Sequence, residues 1–514
     1  MTIPPLTSFP GAASATASTD ALQRRSPRPI FADAVTPGEA FEEPSSPPST
    51  FGDLNGLAEQ IAVQGLAPDT LLLRSHATTG AVAGATELNG RRVMFVRVAG
   101  GADRGALTPS DGALLEVAFR AARKHRLPIV GTLATSGVSV NHGIAAVAGW
   151  GQAARELVAC SGVVPILLAA CGPVISGPAL LLGIADVAVF TEDAYAFVSG
   201  PLMVESFTGI SISATDLGGA SAHSRSSGVA TLLVADEDAA IDALTEILAF
   251  LPDHVDDLPT KVETLDPVDR PTSAAAAAIP AHQAGSYDVR TVIADLADDG
   301  YFLELRGSWA PNLVTGFCSI GGLPVGVVAN QTQSLAGSID IPASQKGARF
   351  VSFCDAFNLP LLTLVDTSGF LPGKDLEWRG MIRHGAQLAF AYARATVPRL
   401  GLILRKSYGG AYIVMDSRYM GNDVMFAWPS AEVAVMGAKG AIEILHRGAG
   451  PDERARLEAD YEATFLTPYP TAERGSISAV IEPEDTRRHL AAALDMLWAK
   501  RERLRPRRHD NMPL

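Results

Sequence analysis

One sequence pattern of this chain recurs in both halves at a nearly constant spacing. The segment LPIVGTLATSG ends at Gly137, and the similar segment LPLLTLVDTSG ends at Gly369, 232 positions later. Spacings of 233 to 237 positions then recur, in the same order, at Val164 and Val397, Gly177 and Gly410, and Gly200 and Gly437. One such match is easily a coincidence, but four in order predict an internal duplication, with one folding unit used twice.

The composition fits two folded units joined and preceded by weaker segments. The 514 residues exceed what one hydrophobic core usually organises, and 47% of them are hydrophobic. The Pro- and Ser-rich stretch 1–50 predicts a disordered tail, and the Ala-rich stretch 270–285, bracketed by prolines and a glycine, predicts a linker. We therefore expect an N-terminal domain at 51–269 and a C-terminal domain at 286–514.

Each unit alternates short apolar runs with longer amphipathic ones. PIVGTLATSG and LPLLTLVDTSG are predicted strands, whereas ALLEVAFRAARKHR and KGARFVSFCDAF are predicted helices. Strands that are apolar throughout are typical of parallel sheets covered on both faces. The alternation therefore predicts an α/β fold.

Charge and cysteine content exclude several classes of function. The formal net charge is −14, so general nucleic-acid binding is not expected. The four cysteines include no CxxC pair, which argues against a thiolate zinc site and against a secreted disulfide framework. The best candidate for a membrane span, 163–182, is interrupted by prolines and glycines, and no signal-peptide pattern is present. We expect a cytoplasmic protein that binds neither membranes nor nucleic acids.

The repeated glycines lie where a strand ends and the chain turns. In each copy one strand ends in Thr-Ser-Gly, and the next ends in a Gly-rich turn that opens a helix. Small residues let a ligand approach the backbone, and amides at the start of a helix favour negative charge. Two such amides can form an oxyanion hole for a thioester enolate. Ordinary strand-to-helix turns carry glycines too, and the pattern alone favours that plainer interpretation.

No side chain is marked as a catalytic base or nucleophile. The sequence has no GxxxxGK[ST] loop, no HExxH and no histidine pattern typical of a metal site, so no metal is predicted. Ser368 is not in a GxSxG elbow. Asp340, Asp366 and His384 are more typical of caps, ion pairs and packing than of catalysis. Chemistry carried by backbone amides would leave such a sequence.

The second half resembles a known family through several long motifs. These are NQTQSLAGSIDIPASQKGARFVSFCDAFNLPLLTLVDTSGFLPG, IRHGAQLAFAYARATVPRL, RKSYGGAYIVM and AWPSAEVAVMGAKGA. They are similar to the carboxyltransferase β subunit of biotin-dependent acyl-CoA carboxylases, of which the propionyl-CoA and acetyl-CoA carboxylase β chains are members. A weaker resemblance runs through LNGRRV, SGVVPI, SGPLMVES and DLGGASAH in the first half.

The resemblance implies both a fold and an activity. It implies two tandem crotonase-like domains and carboxyl transfer from carboxybiotin to the α-carbon of an acyl-CoA. The N-terminal domain would hold the CoA thioester and the C-terminal domain the biotin. The site would form between protomers of an oligomer, with a hexamer expected. Biotin itself would take the α-proton, which fits the lack of a protein base.

The resemblance also assigns residues in the second half. Gly410 and Ala411 match the pair whose amides donate to the carbonyl oxygen of biotin. The other substrate-binding positions predicted in this half are Gly369, Phe370, Tyr408, Gly409 and Ile413. Ile413 stands where propionyl-type relatives have Asp, which implies a different floor for the acyl pocket.

The first half departs from the family pattern. Relatives carry DSGGAR where this chain has ATSGVS, so the predicted catalytic amides here are those of Ser136 and Gly137. Gly177 is a further predicted binding position, and it is followed by Pro178, which has no N–H to donate. We expect any weakness in catalysis to originate in this half.

Partners follow from motifs that the sequence lacks. No AMKM-like biotin attachment motif and no ATP-grasp-like loop occur, so biotin carboxylase and biotin carrier functions are expected from a separate α subunit. Two alternatives remain: a degenerate subunit that scaffolds an active paralogue within a mixed oligomer, and a biotin-independent CoA-ester decarboxylase or transcarboxylase. The sequence leaves acyl chain length open.

Overall fold

Two eight-stranded sheets dominate the computed structural model. It describes residues 71–72, 80–99, 104–282, 285–504, 506, 509–511 and 513. The first sheet runs in the order β1-β2-β3-β4-β5-β6-β8, with β7 paired to β5. Its strands are β1 (Leu71–Leu72), β2 (Ala81–Leu88), β3 (Arg91–Val98), β4 (Ile129–Thr135), β5 (Ile166–Ile175), β6 (Val187–Thr191), β7 (Tyr195–Phe197) and β8 (Leu232–Val234).

The second sheet has the same topology as the first. Its order is β9-β10-β11-β12-β13-β14-β16, with β15 paired to β13. Its strands are β9 (Leu303–Leu305), β10 (Leu313–Ile320), β11 (Leu323–Asn330), β12 (Leu361–Thr367), β13 (Arg399–Tyr408), β14 (Val424–Ala427), β15 (Glu432–Ala434) and β16 (Ala479–Val480).

The strand registers confirm the predicted duplication. Each sheet begins with an antiparallel edge strand and hairpin and continues with parallel strands. In each sheet the pairing of the two central strands shifts just before the Thr-Ser-Gly turn. Thr135 pairs with Val174 in the first sheet, and Thr367 pairs with Ser407 in the second, 232 and 233 positions further on. The α/β prediction is therefore correct for both halves.

Helices cover the sheets. The α-helices are α1 (Pro109–His125), α2 (Gly143–Cys160), α3 (Leu180–Ile184), α4 (Pro201–Thr208), α5 (Ala214–Gly218), α6 (Ala220–Ala222), α7 (Glu237–Ala249), α8 (Ser273–Ala278), α9 (Val289–Leu296), α10 (Ile341–Ala356), α11 (Lys374–Trp378), α12 (Met381–Arg394), α13 (Gly409–Val414), α14 (Ala438–Leu445), α15 (Pro451–Phe465), α16 (Tyr469–Glu473) and α17 (Thr486–Leu497). Short 3₁₀ turns lie at Val140–His142, Gly177–Ala179, Asp298–Gly300, Leu335–Gly337, Arg418–Met420 and Pro483–Asp485, and a π turn at His223–Ser227.

The first long helix of each half is fixed by an equivalent cap. Thr108 accepts a hydrogen bond from the Asp111 amide, and the Asp111 carboxylate accepts one from the Thr108 amide. Asp340, 232 positions after Thr108, caps α10 by accepting from the Ala343 amide. These caps satisfy amides that a helix leaves unpaired at its start. Asp340 is thus a cap, as its sequence context favoured.

The two halves share part of their hydrophobic core. One buried cluster contains Phe95 and Leu167 from the first sheet together with Phe317 and Phe350 from the second half. Each sheet also has a separate cluster on its other face. The arrangement gives the parallel strands the double-sided burial that their apolar sequences predict.

The described part of the predicted linker, 270–282, packs against the second half. Arg270 forms ion pairs with Asp266 and Asp295, and Ala275 in helix α8 is buried. The predicted tail 1–50 lies outside the described residues, and the domain boundaries stay predictions. No helix in the described part of the chain is both long and apolar enough to span a membrane. Those same residues include no group of three or more His, Cys, Asp or Glu side chains arranged to hold a metal ion.

Candidate active site

The turn after β12 is held in a defined shape by hydrogen bonds to the Thr367 hydroxyl and to the backbone of Ile339. Gly369 has φ +138°, a conformation that favours glycine. Its amide donates to the Thr367 hydroxyl at 3.3 Å, and its carbonyl accepts from the Ile339 amide at 3.0 Å. The Leu371 amide donates back to the Ile339 carbonyl at 2.9 Å, so the backbone around Phe370 is fixed on both sides.

The ring of Phe370 joins this turn to the Gly-rich turn after β13. A Cβ added to Gly410 would lie 3.6 Å from Phe370 Cε2, and one added to Gly385 would lie 3.2 Å from Cε1. The same ring lines an apolar cavity of about 330 Å³ against helix α12. Phe370 therefore brings the two predicted turns of the second half into contact.

The amides of Gly410 and Ala411 have no acceptor in the described part of the chain. Both belong to the first turn of α13, where a helix has no internal partner for its N–H groups. Gly410 is exposed, whereas the Ala411 side chain is buried. Two adjacent unengaged amides can stabilise negative charge on an oxygen.

A cavity of about 500 Å³ is lined by Gly410, the first of these two residues. It includes three of the predicted residues, Gly409, Gly410 and Ile413. Sequence reasoning missed its other walls, most of which come from segments distant in sequence that no motif signalled, although Tyr412 lies within the RKSYGGAYIVM motif. These are Tyr412, Tyr419, Val433, Ala434, Val435, Thr471, Arg474 and Ser476.

Tyr408 stands at the end of β13, directly before the turn. Its hydroxyl donates a short hydrogen bond to the carboxylate of Glu432. Burial, the hydrogen bond to Glu432 and the charge of that carboxylate all raise the pKa of Tyr408. The phenol therefore stays protonated and anchors the turn, and it does not line the cavity next to Gly409.

A buried polar network centred on Asp366 joins strands β12 and β13, from which the two turns of the second half start. Asp366 is 1% exposed and accepts from Arg405 Nε at 3.1 Å, from the Tyr287 hydroxyl at 2.9 Å and from the Lys406 amide at 3.1 Å. Burial raises the pKa of Asp366, while the nearby charge of Arg405 opposes the rise. With its oxygens engaged, Asp366 is an ion-pair partner, as its sequence context favoured, and it positions the turns.

The predicted catalytic amides of the first Thr-Ser-Gly turn already have acceptors within the chain. The Ser136 amide donates to the Arg104 carbonyl at 3.1 Å, and the Gly137 amide donates to the Thr135 hydroxyl at 3.1 Å. Gly137 has φ +110°, and its carbonyl accepts from the Leu107 amide as Gly369 accepts from Ile339. The two Thr-Ser-Gly turns thus share one architecture, in which the glycine amide donates to the preceding threonine hydroxyl in both halves.

The Gly-rich turn after β5, which contains Gly177, has a single amide without an acceptor among the described residues. The Gly177 amide has no acceptor among the described residues, and Pro178 has no N–H. A Cβ added to Gly177 would lie 2.6 Å from the indole of Trp150, which covers this turn. Ser176 has φ +64° at the position equivalent to Gly409, whose φ is +58°.

The structure brings these two first-half turns together as well. A Cβ added to Gly137 would lie 3.4 Å from both the Ile175 carbonyl oxygen and Ser176 Cβ. Ser139, at the position of the family arginine, is buried, and its hydroxyl lies 2.9 Å from His142 Nδ1. The first half therefore has the predicted geometry with fewer free donors.

Comparisons with known proteins place the chain in a family. The carboxyl transferase domain model matches residues 50–512. The propionyl-CoA carboxylase beta chain of Saccharopolyspora erythraea is 42% identical over 454 residues, covering 85% of this chain and 83% of that protein. The methylmalonyl-CoA carboxyltransferase 12S subunit of Propionibacterium freudenreichii subsp. shermanii is 41% identical over 385 residues, covering 74% and 73%.

A solved structure of the transcarboxylase 12S hexamer, with methylmalonyl-coenzyme A bound, superposes with a TM-score of 0.84. It is 36% identical and covers 89% of this chain and 95% of its own. The shared fold, the duplicated turns and the sequence matches agree over nearly the whole length. The chain belongs to the carboxyl transferase family and has its two tandem crotonase-like domains.

Proposed function

We propose that this chain is the carboxyltransferase subunit of a biotin-dependent acyl-CoA carboxylase. It moves the carboxyl group of carboxybiotin, carried by a partner protein, to the α-carbon of an acyl-CoA. The observation that carries the proposal is the pair of unengaged amides at Gly410 and Ala411, at the turn where Gly410 lines a cavity of about 500 Å³. Family membership supplies the reaction class.

The second half fits the biotin side of the reaction. Carboxybiotin supplies the carboxyl group and the nitrogen that accepts the α-proton. The Gly410 and Ala411 amides donate to the ureido oxygen and stabilise the negative charge that develops there. The network around Asp366 holds both turns rigidly, which keeps these donors aligned without reorganisation.

The first half fits the CoA side with a reduced set of donors. The Gly177 amide donates to the thioester oxygen as the α-carbon gains carbanion character. Ser136 and Gly137 contribute donors once their bonds to Arg104 and Thr135 are exchanged for the thioester. We expect slower transfer than in relatives whose first half keeps all donors.

Exposed apolar residues around both sites support an oligomer. Two pairs occupy equivalent positions in the two halves: Val198 (58% exposed) and Val435 (73%), and Phe207 (85%) and Ile444 (60%). Ile144 (80%) and Ile382 (84%) are exposed in the first turns of α2 and α12. A matched apolar surface on each half is what a two-fold interface between different halves requires. The site is completed where the first half of one protomer meets the second half of another, in a hexamer.

The partner and the compartment complete the proposal. A separate α subunit supplies the biotin carboxylase and biotin carrier functions. All four cysteines are unpaired, which suits a reducing cytoplasm. Ile413 lines the cavity beside Gly410 and places an apolar group where an acyl chain would extend.

The proposal is tested by reconstitution. The chain is combined with a biotin carboxylase and a biotinylated carrier, and acyl-CoAs of increasing length are scanned for ATP-dependent fixation of labelled bicarbonate. Product with at least one thioester is expected, whereas none, with a family relative active in parallel, would reject the proposal. Activity appearing only after addition of an active paralogue would favour the scaffold alternative. Malonyl-CoA loss without biotin carrier would favour the decarboxylase alternative.

A further inference from the structure

A pocket of about 310 Å³ lies between the two halves, and none of the catalytic turn residues lines it. One wall is formed by the end of α3 and the loop 227–229 of the first half. The other wall is formed by the turn after β9 and by helix α10 of the second half. The pocket is therefore built by segments distant in sequence.

The pocket contains more positive than negative charge. Three cations line it: Arg306, Lys346 and Arg349. The carboxylate of Asp186, 4% exposed, accepts from Arg349 Nη2 at 3.1 Å and from the Ile166 amide at 3.0 Å. This one carboxylate pairs directly with Arg349, and its charge also acts on Arg306.

Lys346 is a buried ammonium without a carboxylate partner in the described residues. It is 2% exposed, and its Nζ donates to the carbonyls of Arg306 at 2.9 Å, Trp309 at 2.9 Å and Ala310 at 3.4 Å. Burial lowers its pKa from 10.5 to about 7. Carbonyl dipoles orient this charge but do not neutralise it.

Arg306 is also without an ion pair in the described part of the chain. Its Nε donates to the Gly228 carbonyl at 2.9 Å, and its two terminal nitrogens have no acceptor among the same residues. Burial and the neighbouring charge of Arg349 lower its pKa to about 10. Lys346 is buried and Arg306 is half-buried, and an anion in the pocket would offset the cost of holding positive charge at both groups.

We propose that this pocket binds a phosphate dianion. A phosphate dianion offsets the excess of positive charge in the pocket, and the terminal nitrogens of the Arg306 guanidinium present parallel N–H donors that suit phosphate oxygens. The volume admits a phosphate group with part of its carrier. The phosphate comes either from free phosphate or from the nucleotide part of coenzyme A, and the second source rests on the proposed function.

Calorimetric titration of the full chain with inorganic phosphate tests the proposal without any carboxylation assay. Saturable binding is expected, weakened about tenfold or more in Arg306→Gln, because one charged donor is lost. Arg306→Lys keeps the charge and should retain most of the affinity. Arg488→Gln is the matched control, since Arg488 is exposed and pairs with Asp485.

Absence of saturable binding would overturn the proposal, and so would equal weakening in Arg306→Gln and Arg488→Gln. Thermal unfolding of each variant checks that it is folded. Competition separates the two sources. Displacement of phosphate by coenzyme A, but about tenfold more weakly by dephospho-coenzyme A, supports the nucleotide source. No displacement by either compound supports free phosphate.

Discussion

Ser176 holds a backbone conformation that glycine adopts without strain. Its φ of +64° and ψ of −144° match a region populated almost only by glycine, and Gly409 occupies the equivalent position of the second half. Strain of this kind costs about 1–3 kcal/mol, while the extra freedom of glycine in the unfolded chain costs about 0.4–1 kcal/mol. The difference predicts that Ser176→Gly stabilises the protein by about 1 kcal/mol.

The assay is the midpoint of thermal unfolding of the purified chain. A gain of about 1 kcal/mol should raise the midpoint by roughly 2–4 °C for a unit the size of one half. Ser161→Gly is the matched control, because Ser161 has φ −57° and only the entropic cost applies. A midpoint that falls equally in both variants would refute strain at Ser176.

Three further predictions concern the supports of the two sites. Asp366→Asn should lower the free energy of unfolding by about 3–5 kcal/mol, since it leaves Arg405 as an uncompensated buried charge; a loss below about 1 kcal/mol in denaturant titrations would contradict this. Trp150→Ala should raise KM for the acyl-CoA severalfold by uncovering Gly177, whereas Trp150→Phe should stay near wild type; equal KM values in all three proteins would exclude this role. The lowered pKa of Lys346 means that the folded chain binds fewer protons than the unfolded chain between about pH 7 and 10.5, so stability should rise with pH in that window. Midpoints that show the same pH dependence in Lys346→Met would disprove this contribution.

The duplication made most of the fold predictable. Because Gly137 and Gly369 lie in the turns that follow equivalent strands, their spacing predicts the alignment of both sheets, and the registers follow it from β2 to β7 and from β10 to β15. The caps at Thr108 and Asp340 follow the same spacing. Periodicity and turn residues are local signals, so they survive in the sequence.

The sequence does not show in the same way which backbone amides are free to donate a hydrogen bond. Whether Ser136 or Gly410 has a free N–H depends on which carbonyl lies opposite, and Arg104 reaches Ser136 through a loop with no sequence signal. The position of Trp150 over Gly177 arises from helix packing. The walls that Tyr419 and Arg474 add to the cavity come from contacts across distant segments, which one sequence does not encode visibly.

The central claim is that the backbone N–H of Gly410 serves the carboxyl-transfer step. Gly410→Pro removes this N–H, whereas Gly410→Ala keeps it and adds a Cβ at an ordinary contact distance of 3.6 Å from Phe370. In the reconstituted assay with carboxybiotin carrier, we predict that kcat falls by about 100-fold or more in Gly410→Pro, as for loss of one oxyanion donor. Gly410→Ala should stay within a few-fold of wild type. Equal activity of the two folded variants would contradict the claim.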